Sequence, residues 1–299
     1  MKFFLYENSS SLPKNQNQWR SIWIQELFNE LSKVKNLTRN PNDADFFITE
    51  ISAEANYPNY DMRGGPWPVR GSSLVQHIRS LPYFDKNKKH VMFYHNGSPE
   101  YDLDGILNIP YFNNQYNINR NFIMAPPAIK KYKFNKNIDK KYLISFKGTV
   151  NRGEYRKVVY KKLKTIHNNK NIIIVEKNNN QYDYDELMTN SLFAFCLEGD
   201  LPWSYRFSEI INAGSLPIII TEKWEHLPFC NLVDYQKFAL QGKPNEIEQL
   251  INRAIKMNKK EIEQRLEYMS EVNELYFKDR KSNVQALVKY FKDLYKKTF

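Results

Sequence analysis

The chain has 299 residues, which suits two medium-sized domains, and its 41% hydrophobic content excludes a disordered protein. The formal net charge is +11, but the lysines are scattered in short runs, which indicates solvated faces and not a nucleic-acid-binding surface. The two cysteines form no Cys-x-x-Cys pair, which excludes a disulfide framework and a cysteine-based metal site.

The start of the chain and its apolar runs bear on the cellular compartment. The apolar stretch from Phe3 to Tyr6 is too short for the core of a signal peptide. No apolar run approaches the length of about 20 residues that a membrane-spanning helix needs. These observations predict a cytoplasmic protein without a transmembrane segment, peripheral to membranes at most.

In the first half, short apolar runs alternate with helical patterns, which is typical of βαβ units. The strands that we predict cover residues 2–6, 45–49, 90–95, 104–109 and 121–125. Apolar residues spaced three to four apart predict a helix from Trp19 to Leu31, and residues 72–80 form a second candidate helix. We therefore expect an N-terminal Rossmann-like domain over residues 1–128. The polar, basic stretch 126–141 predicts an interdomain linker.

The second half has clearer signals. The strands that we predict here cover residues 142–146, 171–176, 192–197 and 216–220. We predict three helices between these strands: one after the loop 147–153, one near Leu187 and one that begins at about Trp203. Further helices are predicted over residues 245–299. Continuous apolar strands suit a parallel sheet that is covered on both faces. We expect a second Rossmann-like domain over residues 140–299, and hence an α/β fold of two such domains facing a cleft, with a helical C-terminus.

The segment after the strand 192–197 contains the most informative residues. Arg206 and Glu209 are three apart, so they share one face near the start of the predicted helix, beside Ser204 and Tyr205. A helix N-terminus attracts anions, and an arginine there can clamp a phosphate. A carboxylate one turn further can accept hydrogen bonds from ribose hydroxyls. The alternative is an exposed ion pair between Arg206 and Glu209.

The same segment resembles the exostosin family, glycosyltransferase family 47. The resemblance rests on residues that follow the family's order: Phe195, Cys196, Leu197, Gly199, Arg206, Glu209, Ala213, Gly214, Pro217, Leu227, Pro228 and Phe229. Residues 41–49, 90–96, 122–127 and 144–156 resemble weaker motifs of the family. Leu216 stands where the family usually has cysteine or a similar residue.

The resemblance implies a GT-B fold and a nucleotide-sugar donor that is bound mainly by the C-terminal domain. It also implies inversion at the anomeric carbon. Family members use UDP-activated xylose, galactose, glucuronic acid or similar sugars, so the sugar stays open. The partner would be a carbohydrate or glycoprotein acceptor.

No Asp-x-Asp motif stands where it could hold a metal ion. Asp183 and Asp185 fall in a polar loop between predicted elements, which suits solvated carboxylates. We therefore predict a metal-independent enzyme that needs no cofactor besides its UDP-sugar substrate. Basic residues around Gly148 would neutralise the leaving diphosphate, although a plain surface role suits each of them equally well. These residues are Lys147, Arg152 and Arg156.

The acceptor hydroxyl needs a general base within hydrogen-bond reach. Because the donor would occupy the C-terminal domain, we expect the base on the N-terminal one. His95 ends a predicted strand and is the first candidate, while Asp61 and Glu50 follow another strand end.

Two further alternatives remain beside nucleic-acid binding. The chain could be an inactive exostosin-like partner subunit, which would bind donor poorly and lack turnover. It could also be another GT-B enzyme that uses a GDP-sugar, such as a fucosyltransferase, which a preference for GDP over UDP would reveal.

Overall fold

The structure, a computed structural model, describes residues 1–6, 26–49, 81–85, 89–94, 106–110, 131–151, 153–199, 204–224 and 227–298. The chain divides into two compact units. The first unit comprises Met1–Met124 and Val284–Phe299, and the second comprises Ala125–Asn283. The sequence-based division differs from this at two points, because it assigned the C-terminal residues to the second domain and left residues 129–139 between the domains.

The first unit contains a parallel sheet whose strands pair in chain order. Its strands are β1 (Phe3–Leu5), β2 (Phe46–Thr49), β3 (Lys89–Tyr94) and β4 (Ile106–Pro110). Phe46 is buried and stacks on Phe291, with 4.9 Å between the ring centroids. This contact explains why the residues from Val284 onward belong to the first unit. The predicted strand at 121–125 and the predicted helix at 72–80 lie outside the described residues.

The second unit contains a parallel sheet with the strand order β6-β5-β7-β8-β9. Its strands are β5 (Tyr142–Gly148), β6 (Ile172–Glu176), β7 (Ser191–Leu197), β8 (Leu216–Ile220) and β9 (Leu240–Gly242). Every residue of β7 and β8 is buried, as the continuous apolar runs predict for a parallel sheet with both faces covered. The short strand β9 was not predicted.

Helices connect and cover this sheet. They are α1 (Glu154–Lys164), α2 (Tyr184–Asn190), α3 (Arg206–Ala213), α4 (Ile247–Lys256) and α5 (Lys259–Val272), followed by a π-helix at Asn273–Phe277. The last helix, α6 (Arg280–Thr298), begins in the second unit, and its residues from Val284 onward belong to the first. Asp183 caps α2 by accepting a hydrogen bond from the Glu186 amide. Gly214 ends α3 in the left-handed conformation, with φ at 79°, as its predicted position after the helix requires.

The strand order creates a topological switch point. From β5 the chain moves to one side to form β6, and it then returns across β5 to form β7 and β8. Open α/β sheets bind ligands in the crevice that forms at such a point, outside the carboxyl ends of the strands. The fold therefore predicts a ligand site near the residues that end β5 and β7.

The stretch 131–141, predicted as part of a linker, packs against the second unit. The amide of Asn135 donates to the Ala213 carbonyl at 3.2 Å, and its side chain donates to the Thr189 carbonyl at 3.1 Å. Lys140 Nζ donates to the Gly214 carbonyl at 2.7 Å. These bonds fix the stretch against the C-terminal ends of α2 and α3, so residues 131–141 are part of the second unit.

Candidate active site

Arg206 is the first residue of α3, and its guanidinium lies across the carboxyl end of β5. The guanidinium carbon is 4.6 Å from the centroid of the Phe146 ring and 5.4 Å from that of Tyr184. Its Nη2 donates to the Lys147 carbonyl oxygen. A Cβ on Gly148 would lie 2.6 Å from the same Nη2, so the guanidinium needs a glycine there. The structure thus brings together Arg206 and Gly148, which the sequence had singled out separately.

The Arg206 side chain retains unused hydrogen-bonding capacity. Its Nε is buried and makes no hydrogen bond with the described residues. An unsatisfied buried donor costs about 1–3 kcal/mol, and more when it is charged. An anionic oxygen at this position would remove that cost.

Glu209 lies one turn further along α3 and is buried, with 6% of its surface exposed. Its Oε2 accepts a hydrogen bond of 2.5 Å from the Tyr184 hydroxyl. In the described part of the chain it forms no ion pair with Arg206, so the exposed pair that the spacing allowed is absent. Burial raises the pKa of Tyr184 to about 12, which keeps this hydroxyl protonated as the donor.

The start of α3 has no side-chain cap from its N-cap residue, Tyr205. Tyr205 precedes the helix in a helical conformation, and no side chain caps the first amides. Ser204, a candidate residue from the sequence, hydrogen-bonds Cys196, whose thiol pKa is raised to about 11 by burial. The Phe207 amide donates to the Ser204 carbonyl at 2.8 Å, and the helix dipole favours negative charge beside Arg206.

Lys147 and Arg156 bind main-chain oxygens. Lys147 Nζ donates to the carbonyls of Asn179 and Tyr182 at 2.7 and 2.5 Å, which holds the loop between β6 and α2. The nine-tenths-buried Arg156 donates to the Glu198, Thr149 and Leu197 carbonyls. Both cations therefore brace the carboxyl edge of the sheet, which differs from the direct phosphate contact that we expected from sequence.

Three residues at this edge were not predicted. Phe146 and Tyr184 enclose the Arg206 guanidinium. Glu198 directly follows β7, and its carboxylate accepts a 2.6 Å hydrogen bond from Thr221. Burial raises the pKa of Glu198. Their positions directly after or within predicted strands, or at a helix start, were the available signal.

Other predicted residues are structural or fall outside the description. Asp183 caps α2, and Asp185 accepts a 2.7 Å hydrogen bond from Tyr132, so neither is the freely solvated carboxylate that we expected. Among the residues that the structure describes, no three His, Cys, Asp or Glu side chains are grouped to hold a metal ion. The candidates outside the described residues are His95, Asp61, Glu50 and Arg152.

A doubly wound parallel sheet with an arginine at an uncapped helix start, placed at the switch point, defines an α/β protein with a candidate anion site. The model of the Exostosin GT47 domain matches residues 4–257. The chain therefore belongs to the exostosin GT47 family of glycosyltransferases. The resemblance found in the motifs is confirmed.

Curated relatives agree with this membership. An Exostosin-1 homolog of Caenorhabditis elegans is 24% identical over 269 residues, which cover 74% of this chain and 67% of that protein. Exostosin-1 of Drosophila melanogaster is 23% identical over 56% of this chain and 27% of its own length. Exostosin-1c of Danio rerio is 23% identical over 77% of this chain and 36% of its own length. The chain thus spans two thirds of the worm protein and about a third or less of the other two.

A solved structure, that of a GtfA/B complex bound to UDP and GlcNAc, aligns with 90% of this chain and 60% of that one. The identity is 9% and the TM-score is 0.32. A score of this size supports no conclusion about the fold or ligand of the present chain.

The expectation of a cytoplasmic protein is wrong. Exostosin homologues are Golgi membrane-resident glycosyltransferases with a lumenal catalytic domain. The expectation had rested on the short apolar stretch from Phe3 to Tyr6 and on the lack of a long apolar run, and neither observation identifies a compartment. Within the described residues, none of the helices is long and apolar enough to cross a membrane.

Proposed function

We propose that this protein transfers a sugar from a UDP-sugar to a glycan acceptor, with inversion and without a metal ion. The observation that carries the proposal is the placement of Arg206 at the uncapped start of α3, across the end of β5 at the switch point. The proposal includes the GT-B organisation implied by the family resemblance, in which the C-terminal domain binds the nucleotide-sugar.

The diphosphate is the part of the donor that Arg206 would bind. Negative charge grows on the leaving diphosphate during transfer, so fixed donors that meet it lower the barrier. The buried Nε of Arg206 is such a donor, and the dipole of α3 adds a favourable field for negative charge. Lys147 and Arg156 contribute by holding the surrounding loops in place, and Ser204 and Tyr205 by shaping the helix start.

The ribose is the part that Glu209 would bind. One carboxylate oxygen accepts the Tyr184 hydroxyl, and Oε1 has no hydrogen bond within the described residues. A carboxylate oxygen can accept hydrogen bonds from the ribose hydroxyls. Arg206 and Glu209 would then bind adjacent parts of one nucleotide from one helix.

The acceptor hydroxyl requires a general base, and His95, Asp61 and Glu50 remain our candidates. Replacing the true base should lower kcat by about 10²–10⁴-fold. The affinity for UDP should hardly change, because the base does not touch the nucleotide. The proposal leaves the sugar open among xylose, galactose, glucuronic acid and similar sugars.

Ligand-induced stabilisation tests the donor site. UDP should raise the melting temperature of the protein and GDP should not, because a ligand that binds only the folded state stabilises it. Arg206→Ala should weaken UDP binding by about 1.5–3 kcal/mol, the value of a charged hydrogen bond. The control is Arg253→Ala, since Arg253 is exposed on α4 and should not affect binding. Unchanged UDP affinity in Arg206→Ala would contradict the proposed site.

Metal independence has a separate test. Transfer from the UDP-sugar should survive excess EDTA, since cationic side chains and the helix dipole would neutralise the diphosphate. Loss of turnover in EDTA that Mn²⁺ or Mg²⁺ restores would refute this part of the proposal.

A further inference from the structure

Tyr184 contacts both residues that we propose to bind the nucleotide-sugar, Arg206 and Glu209. Its hydroxyl donates to Glu209 Oε2 at 2.5 Å, and its ring lies 5.4 Å from the Arg206 guanidinium. We propose that Tyr184 is a positioning residue for nucleotide binding, which orients Glu209 toward the ribose and supports Arg206 at the diphosphate. This inference rests on the proposed function and adds a residue to it.

The fold explains why Tyr184 reaches this place. In a parallel sheet, the helix that follows a strand begins at the carboxyl edge, so α2 and α3 both start there. The Asp183 cap makes Tyr184 the first residue of α2, as Arg206 is the first of α3. Lys147 fixes the preceding loop through the Tyr182 carbonyl. Two helix starts therefore meet, and Tyr184 is held from its N-terminal side.

The Tyr184 hydroxyl stabilises the buried carboxylate of Glu209. A buried charge is costly unless it is hydrogen-bonded, and Glu209 is 6% exposed. Tyr184 satisfies Oε2 and thereby fixes the direction of Oε1. The raised pKa of Tyr184 means that it does not ionise in the physiological range. Without the hydroxyl, the carboxylate would lose its fixed orientation.

The ring has a different task. Phe146 and Tyr184 approach the Arg206 guanidinium with their rings, and such contacts favour a cation over an aromatic face. The hydroxyl also hydrogen-bonds Arg206, so removing it alone should leave the ring contact in place and lose only this bond. Removing the whole ring should release Arg206 as well.

These two tasks can be separated with two variants and three ligands. The variants are Tyr184→Phe and Tyr184→Leu, and the ligands are UDP, 2′,3′-dideoxy-UDP and inorganic pyrophosphate, titrated by calorimetry. Tyr184→Phe should weaken UDP roughly tenfold and should weaken dideoxy-UDP and pyrophosphate much less, because only UDP offers the ribose hydroxyls to Glu209. Tyr184→Leu should weaken all three. A merely structural role would weaken all three ligands by the same factor within each variant.

The matched control is Tyr142→Phe. Tyr142 also donates its hydroxyl to a carboxylate of α2, that of Glu186 at 3.2 Å, but it lies at the start of β5, away from the carboxyl edge. Its variant should bind the three ligands as the parent does. Melting curves of all variants check that the fold is retained.

Further variants separate the failure of this inference from that of the proposed function. Glu209→Gln should lose discrimination between UDP and dideoxy-UDP, and adding Tyr184→Phe to it should cause no further loss. If the parent does not bind UDP, both the function and the inference are refuted. If Glu209→Gln loses discrimination while Tyr184→Phe keeps it, only the positioning role of Tyr184 is refuted.

Discussion

Gly148→Ala should weaken nucleotide binding while leaving the fold intact. The added Cβ would lie 2.6 Å from Nη2 and 3.0 Å from Nη1 of Arg206. The backbone at Gly148 is ordinary strand backbone, unlike that at Gly153 and Gly214, so alanine fits its conformation. The clash therefore acts on the guanidinium, the mobile end of a long side chain.

The size of the effect follows from the displacement. Restoring ordinary contact moves the guanidinium by about 0.8 Å. That shift breaks the bond to the Lys147 carbonyl and disturbs the contact with Phe146. Stability should fall by no more than about 1–2 kcal/mol, because the side chain can turn toward solvent. A charged hydrogen bond to the diphosphate would be lost, which predicts about 10–150-fold weaker UDP binding.

Calorimetric titration with UDP tests this through a double-mutant cycle. Gly148→Ala, Arg206→Ala and the double variant are compared, and the double variant should bind no worse than Arg206→Ala alone. The control is Gly242→Ala, since Gly242 ends β9 and its added Cβ would meet Leu250 at 2.8 Å. That variant should lose stability without losing UDP affinity. Parental affinity in Gly148→Ala, or additive losses in the cycle, would refute the reasoning.

Five further substitutions, two of them controls, probe the second unit by chemical denaturation. Gly214→Ala should cost about 2–4 kcal/mol, since φ is 79° and the Cβ would lie 2.4 Å from a backbone oxygen. Gly153→Ala, with a positive φ but no atom within 4 Å of the Cβ, should cost less. Arg156→Met should cost about 3–5 kcal/mol because three carbonyls lose their donor, whereas Lys157→Met at an exposed site should cost under about 1 kcal/mol. Burial lowers the pKa of Lys140 from 10.5 to about 7. As the pH rises, the folded state therefore releases this proton at a lower pH than the unfolded state does. The stability of the parent relative to Lys140→Met should then rise by about 1–3 kcal/mol between pH 7 and 10, and a flat difference would contradict this.

Much of the second sheet could be predicted from sequence because its strands are continuous apolar runs. The prediction of residues 192–197 matches β7 to within one residue, and 216–220 matches β8. The strand β9 has three residues, Leu240–Gly242, which is too short to show any periodicity. Its place is set by pairing with β8, a tertiary contact that no local pattern contains.

The candidate site was only partly predictable. Gly214 takes the position after α3 that local rules suggest, whereas the helix begins at Arg206 and not at about Trp203 as predicted. The spacing assigned Glu209 to a polar face of α3. That face is also covered in the structure, so Glu209 is buried. Helical periodicity cannot detect a second covering layer. Tyr184 was missed because 25 residues separate it from its partner Glu209, and only the sheet topology brings the two helix starts together.

The three cations at the carboxyl edge share one kind of acceptor. Lys147, Arg156 and Arg206 all donate to main-chain carbonyls, as at Asn179 and Thr149. Every amino acid supplies a carbonyl, so the accepting positions can change their side chains without breaking these bonds. Across homologues, the donors should therefore be constrained while their partners drift independently. Covariation between positions in an alignment, which usually reveals spatial contacts, would not detect these contacts.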